Sequence, residues 1–337
     1  MREFAKIVRF HSIGGPEVFQ LDELPLPEPG AGEVRLRVRA IGLNRAEAMF
    51  RRDQYYLTPA LPSKNGYEAS GIVEAIGPGV EPDLVGKVRS TVPSFSLATY
   101  GVYGEVAIVP ASALAAYPEN LSFEEGASVW MQYITAYGAL IHHGRLAKGD
   151  HVVLTAASSS VGLAAIQVAR AEGAIVIATT RTVAKKAELI AAGADHVIVT
   201  DEENLTERIL DITHGGGAKV IFDAVAGPGL ADLAKATAPG ALIVIYGLLS
   251  SQPTSLPIYE AWAMAPQRRS FKVMGYSMFE ISSDPPLMQK ASDYIFRRLE
   301  TGELRPRIDR TFQLSEMAEA HRYMEDGQQI GKIVVTV

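Results

Sequence analysis

Cysteine is absent from all 337 residues. Its absence removes disulfides, thiolate nucleophiles and every zinc site built on sulfur ligands. Long apolar runs are missing too: the longest, residues 241–249, contains Tyr246 and Gly247 and falls well short of the about 20 residues a membrane-spanning helix needs. There is no excess of positive charge. With 32 Lys and Arg against 38 Asp and Glu the formal charge is −6, and the cations are scattered, so no basic field exists to attract a nucleic-acid backbone. The first six residues contain no apolar signal core, from which a cytoplasmic location is expected. Internal repeats and low-complexity tracts are lacking as well.

What is present is the balance of an ordinary folded protein, 47% apolar and 21% charged. A chain of this length exceeds the size at which single cores stop growing, so two compact units are expected. Residues 33–79 read as short strands broken by Gly and Pro, with Val34, Leu36 and Val38 alternating and residues 71–75 forming a second strand segment. Ser122, with Glu125 three residues on, reads as a helix N-cap ahead of a helix-compatible stretch over residues 127–140. From His151 the pattern changes: apolar runs near residues 151–155, 175–178, 197–199, 220–222 and 242–245 alternate with helical segments. Runs apolar on both faces and separated by helices indicate a doubly wound parallel sheet, an α/β domain. A helix near residues 286–301 and a final strand over 332–337 are too little to stand alone. They are expected to complete the first unit, which gives a β-rich domain from residues 1–128 and 272–337 around an α/β domain of residues 129–271.

The turn from Thr155 to Gly162 follows an apolar strand and opens a helix, the setting of a dinucleotide pyrophosphate site. Of the glycine fingerprint only Gly162 is kept; Ser159, and Ala157 or Ala156, hold the other positions. Ser159, Ser160, Val161 and Gly162 are therefore candidate phosphate contacts, the alternative being a serine-rich helix cap without a ligand. The next strand ends in Thr179-Thr180-Arg181, where an NAD-selective site usually places Asp or Glu against the ribose 2′-hydroxyl. Thr180, Arg181 and Lys185 offer instead a hydroxyl and two cations, which suit a 2′-phosphate. NADPH is thus expected over NADH; the alternative is that these are solvated charges.

Several motifs read together extend this. They are Gly42-Leu43-Asn44 with Arg51 and Tyr55, Gly66-Tyr67-Glu68-Ala69-Ser70-Gly71, Gly77-Pro78-Gly79-Val80 and Thr135-Ala136-Tyr137, then the 156–162 turn, Gly193-Ala194-Asp195-His196-Val197, Asp223-Ala224-Val225-Ala226-Gly227, Tyr246-Gly247 and Gly331-Lys332-Ile333-Val334. In this order the chain resembles the medium-chain dehydrogenase/reductase superfamily along its whole length, specifically the zinc-free quinone oxidoreductase-like branch. The resemblance implies a GroES-like substrate domain, a Rossmann domain, a cleft for the nicotinamide, and a homodimer joined through edge strands of the Rossmann sheets. It places Asn44 where zinc-binding members carry a Cys and Tyr67 where they carry a His, so no metal is expected. It also brings Thr135, Tyr246, Gly247 and Lys332 to the cofactor.

Without a metal the acceptor must already be electrophilic, which points to a small-molecule carbonyl substrate, a quinone or conjugated enone, reduced by hydride from NADPH. Asn44 is the candidate for orienting the substrate or the nicotinamide ribose. Tyr67 is a candidate proton donor, the alternative being a buried tyrosine satisfied by Glu68. Met49 stands where some relatives carry a proton-donating Tyr, and a thioether cannot act as an acid. The alternatives are a reductase of enoyl thioesters or other activated alkenes, and a cofactor-binding protein with a non-catalytic role. The seven histidines show no metal-ligand spacing and read as surface or capping residues, and Asp223 reads equally well as a turn cap. Tyr259, Trp262 and Met264, in residues 251–266, suit a substrate pocket, an interface or a core.

Overall fold

Six strands form one parallel sheet, the first four in its spatial order buried along most of their length: His196–Val199, Ile175–Thr180, His151–Leu154, Ala218–Asp223, Thr237–Ile245 and Phe271–Gly275. In chain order this is third, second, first, fourth, fifth, sixth, the arrangement of a doubly wound dinucleotide-binding sheet. Val152, Val153 and Leu154 of the first strand and Val220 and Ile221 of the fourth have no exposed surface. Strands covered on both faces need continuous apolar runs, and these are the runs the sequence shows. The order reverses between the first and fourth strands, and such sheets bind ligands at the carboxyl ends flanking that reversal. The computed structural model describes residues 3–256, 258–263 and 270–337, and no helix among them is long and apolar enough to cross a membrane. Met264 lies outside the described residues.

This sheet belongs to one unit, Gln132–Leu304; the other is Met1–Met131 with Arg305–Val337. The chain therefore returns at Arg305, where the sequence pattern suggested residue 272. Strand Phe271–Gly275 pairs in parallel with Thr237–Ile245, and helix Pro285–Glu300 stays with the same unit. It is tied there by polar contacts that composition cannot show: Tyr294 and Arg298 both donate to Glu172 Oε1, at 2.9 and 3.1 Å, and the Tyr137 and Tyr294 rings lie 5.2 Å apart.

In the first unit the long strand Glu33–Gly42 organises a seven-stranded sheet. Along one side it pairs with Glu68–Ile76; on the other, its start pairs with Val106–Pro110 and its end with Lys332–Thr336. Ile308–Gln313 adds to the last of these, so two strands of this sheet come from the C-terminal segment. Ser122 and Glu125 form the expected capping box, each accepting the other's backbone N–H. The helix they open is one turn, Phe123–Gly126; a second helix, Trp130–Tyr137, continues as a wider turn over Gly138–His143.

Candidate active site and cofactor turn

Asn44 ends the long strand's exit turn and opens helix Arg45–Arg51. Its side chain is buried and fully engaged. Nδ2 donates to Gly42 O at 3.2 Å, Glu47 Oε1 at 3.1 Å and Glu68 Oε2 at 3.2 Å, and Oδ1 accepts from Lys332 Nζ at 2.7 Å. Lys332 also donates to Glu68 Oε2 at 2.5 Å, and neither side chain is more than 1% exposed. The approach depends on Gly42: a Cβ there would sit 2.0 Å from Ala127 O and 2.7 Å from Lys332 Cε. Lys332, expected at the cofactor, thus has its ammonium bound to Asn44 and Glu68.

Glu47 was not singled out by sequence, yet it is the carboxylate that holds this corner together. It accepts from the Asn44 amide at 2.7 Å, the Tyr67 amide at 2.9 Å and the Tyr103 hydroxyl at 2.6 Å. Burial pushes its carboxyl above the ordinary value, against the pull of those donors. The Tyr103 oxygen meets His321 Nε2 at 2.9 Å, and His321 Nδ1 meets Arg51 Nη1 at 2.7 Å. An arginine can only donate, so Nδ1 accepts; Tyr103 spends its hydrogen on Glu47, so the imidazole proton lies on Nε2. His321 is therefore a fully buried, neutral linker, which corrects the reading of all seven histidines as surface or capping residues. Its helix, Met317–Asp326, has a polar average composition, and that masked the buried face.

Tyr67 is fully buried, as one of the two readings had it, but Glu68 is not the partner seen: the Tyr67 hydroxyl donates to Tyr55 at 3.4 Å. Glu68 Oε1 accepts instead from the Met131 amide at 2.8 Å. Burial raises the Tyr67 and Tyr55 hydroxyls above the ordinary phenol range.

The second unit carries the remaining candidates. Ser159 caps helix Ser160–Ala171, its hydroxyl accepting from Gly162 N at 3.0 Å. That leaves other first-turn amides, those of Ser160 and Val161, without an intrahelical acceptor and pointing out of the helix start. Gly162 is required by close approach, since a Cβ would lie 2.5 Å from Ala157 O. Ala156 takes the left-handed conformation of the tight turn, φ 46°, where the fingerprint would have glycine. Lys185 Nζ lies 3.3 Å from Ser158 Oγ, so one predicted cation reaches the serine turn; Arg181 is exposed at the end of its strand, beside the buried Thr180. Across the sheet reversal, Thr155 Oγ1 donates to Asp223 Oδ1 at 2.6 Å, and Asp223 caps its own turn through the Val225 and Ala226 amides. Tyr246 stacks on Phe222 at 3.9 Å, and its hydroxyl, turned toward Ser159, is buried without a partner in good geometry. Thr135 is buried on helix Trp130–Tyr137, and Gly247 follows Tyr246 at the carboxyl end of the fifth strand.

An orphaned hydroxyl, free first-turn amides and a cation over the same turn fit a phosphorylated dinucleotide. The comparisons with known proteins agree in kind. Residues 30–119 match the family model for an alcohol dehydrogenase GroES-like domain, and residues 192–335 that for a zinc-binding dehydrogenase. A quinone oxidoreductase of Pseudomonas aeruginosa is 30% identical over 331 residues, 98% of this chain and 99% of its own. The chain belongs to the quinone oxidoreductase-like branch of the medium-chain dehydrogenase/reductase superfamily. Among solved structures, this quinone oxidoreductase-like chain is similar to an NAD-dependent alcohol dehydrogenase at 31% identity and TM-score 0.87, covering 98% of this chain and 99% of that one. It is also similar to the Escherichia coli quinone oxidoreductase complexed with NADPH, at 28% identity and TM-score 0.88, covering 99% and 100%.

Proposed function

We propose that the protein is an NADPH-dependent, metal-independent oxidoreductase that reduces quinones or conjugated enones. The observation that carries this reading is the serine turn with Lys185 over it and Arg181, in place of the Asp or Glu of an NAD-selective site, at the end of the second strand. Bound NADPH would supply the hydride. Arg181, Lys185 and Thr180 would hold the 2′-phosphate, the amides of Ser160, Val161 and Gly162 with the Ser159 cap would hold the pyrophosphate, and the orphaned Tyr246 hydroxyl would donate to the cofactor. At the Asn44 corner the amide, the Lys332 ammonium and the Glu68 and Glu47 carboxylates already satisfy one another, which leaves this set poorly suited to coordinating zinc. A dimer through the second unit is part of the proposal. Among the described residues strand Phe271–Gly275 pairs on one side only, and exposed Val273, Ile258, Tyr259 and Trp262 supply apolar surface in the same stretch of chain.

Titration of the protein with NADPH and NADH, followed by cofactor fluorescence, tests the assignment. Wild type should prefer NADPH, and replacing both Arg181 and Lys185 with Ala should weaken NADPH by about 10- to 100-fold while NADH binding barely changes. Equal loss for both cofactors, or a wild-type preference for NADH, contradicts it.

A further inference from the structure

In the second unit the pairing between the third strand, His196–Val199, and the second, Ile175–Thr180, runs past the end of both. Thr200 N donates to Thr180 O at 2.9 Å and Asp201 N to Arg181 O at 3.3 Å, so the backbone of Asp201 rests on that of Arg181. The Thr200 hydroxyl turns back onto Thr180 O at 3.4 Å. Asp201 opens a row of three carboxylates with Glu202 and Glu203. Glu203 serves the fold: its Oε1 accepts from the Val199 amide at 2.8 Å, and its Oε2 meets Arg208 Nε at 3.2 Å. The Glu202 amide returns to Val199 O at 3.0 Å, so Asp201 is the last residue to touch the second strand. Asp201 and Arg181 are both exposed, and among the described residues neither side chain has a hydrogen bond or an ion pair. Opposite charges thus stand on neighbouring backbone at the carboxyl ends of adjacent strands, unpaired and unused by the fold.

We infer that Asp201 sets the cofactor selectivity from the opposite side to Arg181 and Lys185: it lowers the affinity for NADPH and spares NADH. The inference rests on the reading of Thr180, Arg181 and Lys185 as the 2′-phosphate site. NADPH differs from NADH only by that phosphate, which carries about −1.5 to −2 charge at neutral pH. Adjacent strands lie about 4.8 Å apart, so a phosphate held against Arg181 stands within range of the Asp201 carboxylate. Across about 7–10 Å of partly solvated surface, like charges repel by an amount that changes affinity several-fold at low salt. NADH presents a neutral ribose hydroxyl at the same place. It escapes the repulsion, and a carboxylate can accept its hydrogen. An Asp or Glu at the end of the second strand would bond that ribose and exclude the phosphate. One strand over, the carboxylate weakens the preference for NADPH without reversing it, so selectivity is the difference between two opposed charges.

Asp201→Asn removes the charge and keeps the shape; Asp201→Glu keeps the charge. NADPH and NADH are titrated into wild type and both variants and followed by cofactor fluorescence, with adenosine 2′,5′-bisphosphate and adenosine 5′-monophosphate as non-reacting probes of the same difference. Asp201→Asn should bind NADPH and the bisphosphate about three- to tenfold more tightly at low salt, and lose most of that gain in about 0.5 M NaCl. Its affinity for NADH and the monophosphate should stay the same or fall, and Asp201→Glu should behave as wild type. A side chain that acted only on the fold would move all four ligands alike and without regard to salt. Phosphorylated ligands bound by Asp201→Asn as by wild type, or a gain shared equally by NADH, overturn the inference. The Arg181→Ala, Lys185→Ala double variant, titrated in parallel, separates it from the cofactor assignment. Selective loss of NADPH there, with no change in Asp201→Asn, overturns the role of Asp201 alone. A selective gain in Asp201→Asn, with equal loss of both cofactors in the double variant, upholds Asp201 and contradicts Arg181 and Lys185 as the phosphate-binding pair. Wild type that binds neither cofactor overturns both.

Discussion

Lys332 and Asn44, 288 residues apart in sequence, are joined by a buried hydrogen bond of 2.7 Å from Nζ to Oδ1. The same ammonium neutralises Glu68, so the strand at the C-terminal end of the chain fixes the side chain at the start of helix Arg45–Arg51. Lys332→Met leaves the Glu68 carboxylate buried and uncompensated, and should cost about 3–5 kcal/mol. Lys332→Met with Glu68→Gln should recover much of that. Urea unfolding of the three proteins checks both statements, and equal stability of the single and double variants contradicts the pairing.

His321 makes stability depend on pH. Burial and the adjacent Arg51 hold its imidazole well below the ordinary value of 6.5. The unfolded chain takes up this proton as pH falls below 6.5 while the folded chain does not. The histidine's contribution is therefore fully present above 6.5 and declines on acidification at up to about 1.4 kcal/mol per pH unit, until the folded group titrates. His321→Gln should flatten the fall in stability between neutral pH and pH ~5. Unfolding midpoints measured across that window give the two slopes, and identical slopes exclude His321 as the source.

Two substitutions in the serine turn should act in opposite directions. Ala156 has φ 46°, which glycine adopts without strain, so Ala156→Gly should stabilise the fold by about 0.5–1 kcal/mol net of the entropy that glycine adds to the unfolded chain. Gly162→Ala drives a Cβ to within 2.5 Å of Ala157 O and should cost about 1–3 kcal/mol. NADPH titration of the same proteins should show affinity retained in the first and weakened in the second.

Much of this architecture could be read from the residues alone. The continuous apolar runs of Val152-Val153-Leu154 and Val220-Ile221-Phe222 announce strands covered on both faces, and the Ser122–Glu125 spacing announces its capping box. Those signals are local. The return of the chain at Arg305 was not legible, because helix Pro285–Glu300 is held by Tyr294 and Arg298 reaching back to Glu172, contacts over 122 and 126 residues that leave no periodic trace. Glu47 and His321 were missed for the same reason. A carboxylate three residues after Asn44 looks like an ordinary capping residue, and its worth depends on Tyr67 and Tyr103 arriving from the segments that lead into strands Glu68–Ile76 and Val106–Pro110. Tyr67 drew attention because the resemblance sets it where zinc-binding members carry a His, whereas its hydroxyl turns to Tyr55.

The most direct test of the central claim is the rate of NADPH oxidation by chelator-treated protein, with ortho- and para-quinones, conjugated enones and simple aldehydes as acceptors, and with NADH and added zinc as controls. The account predicts turnover of quinones or enones with NADPH, unaffected by chelator and by zinc, and little with unconjugated aldehydes. Turnover that requires zinc, or that favours alcohols and simple aldehydes with NADH, contradicts it.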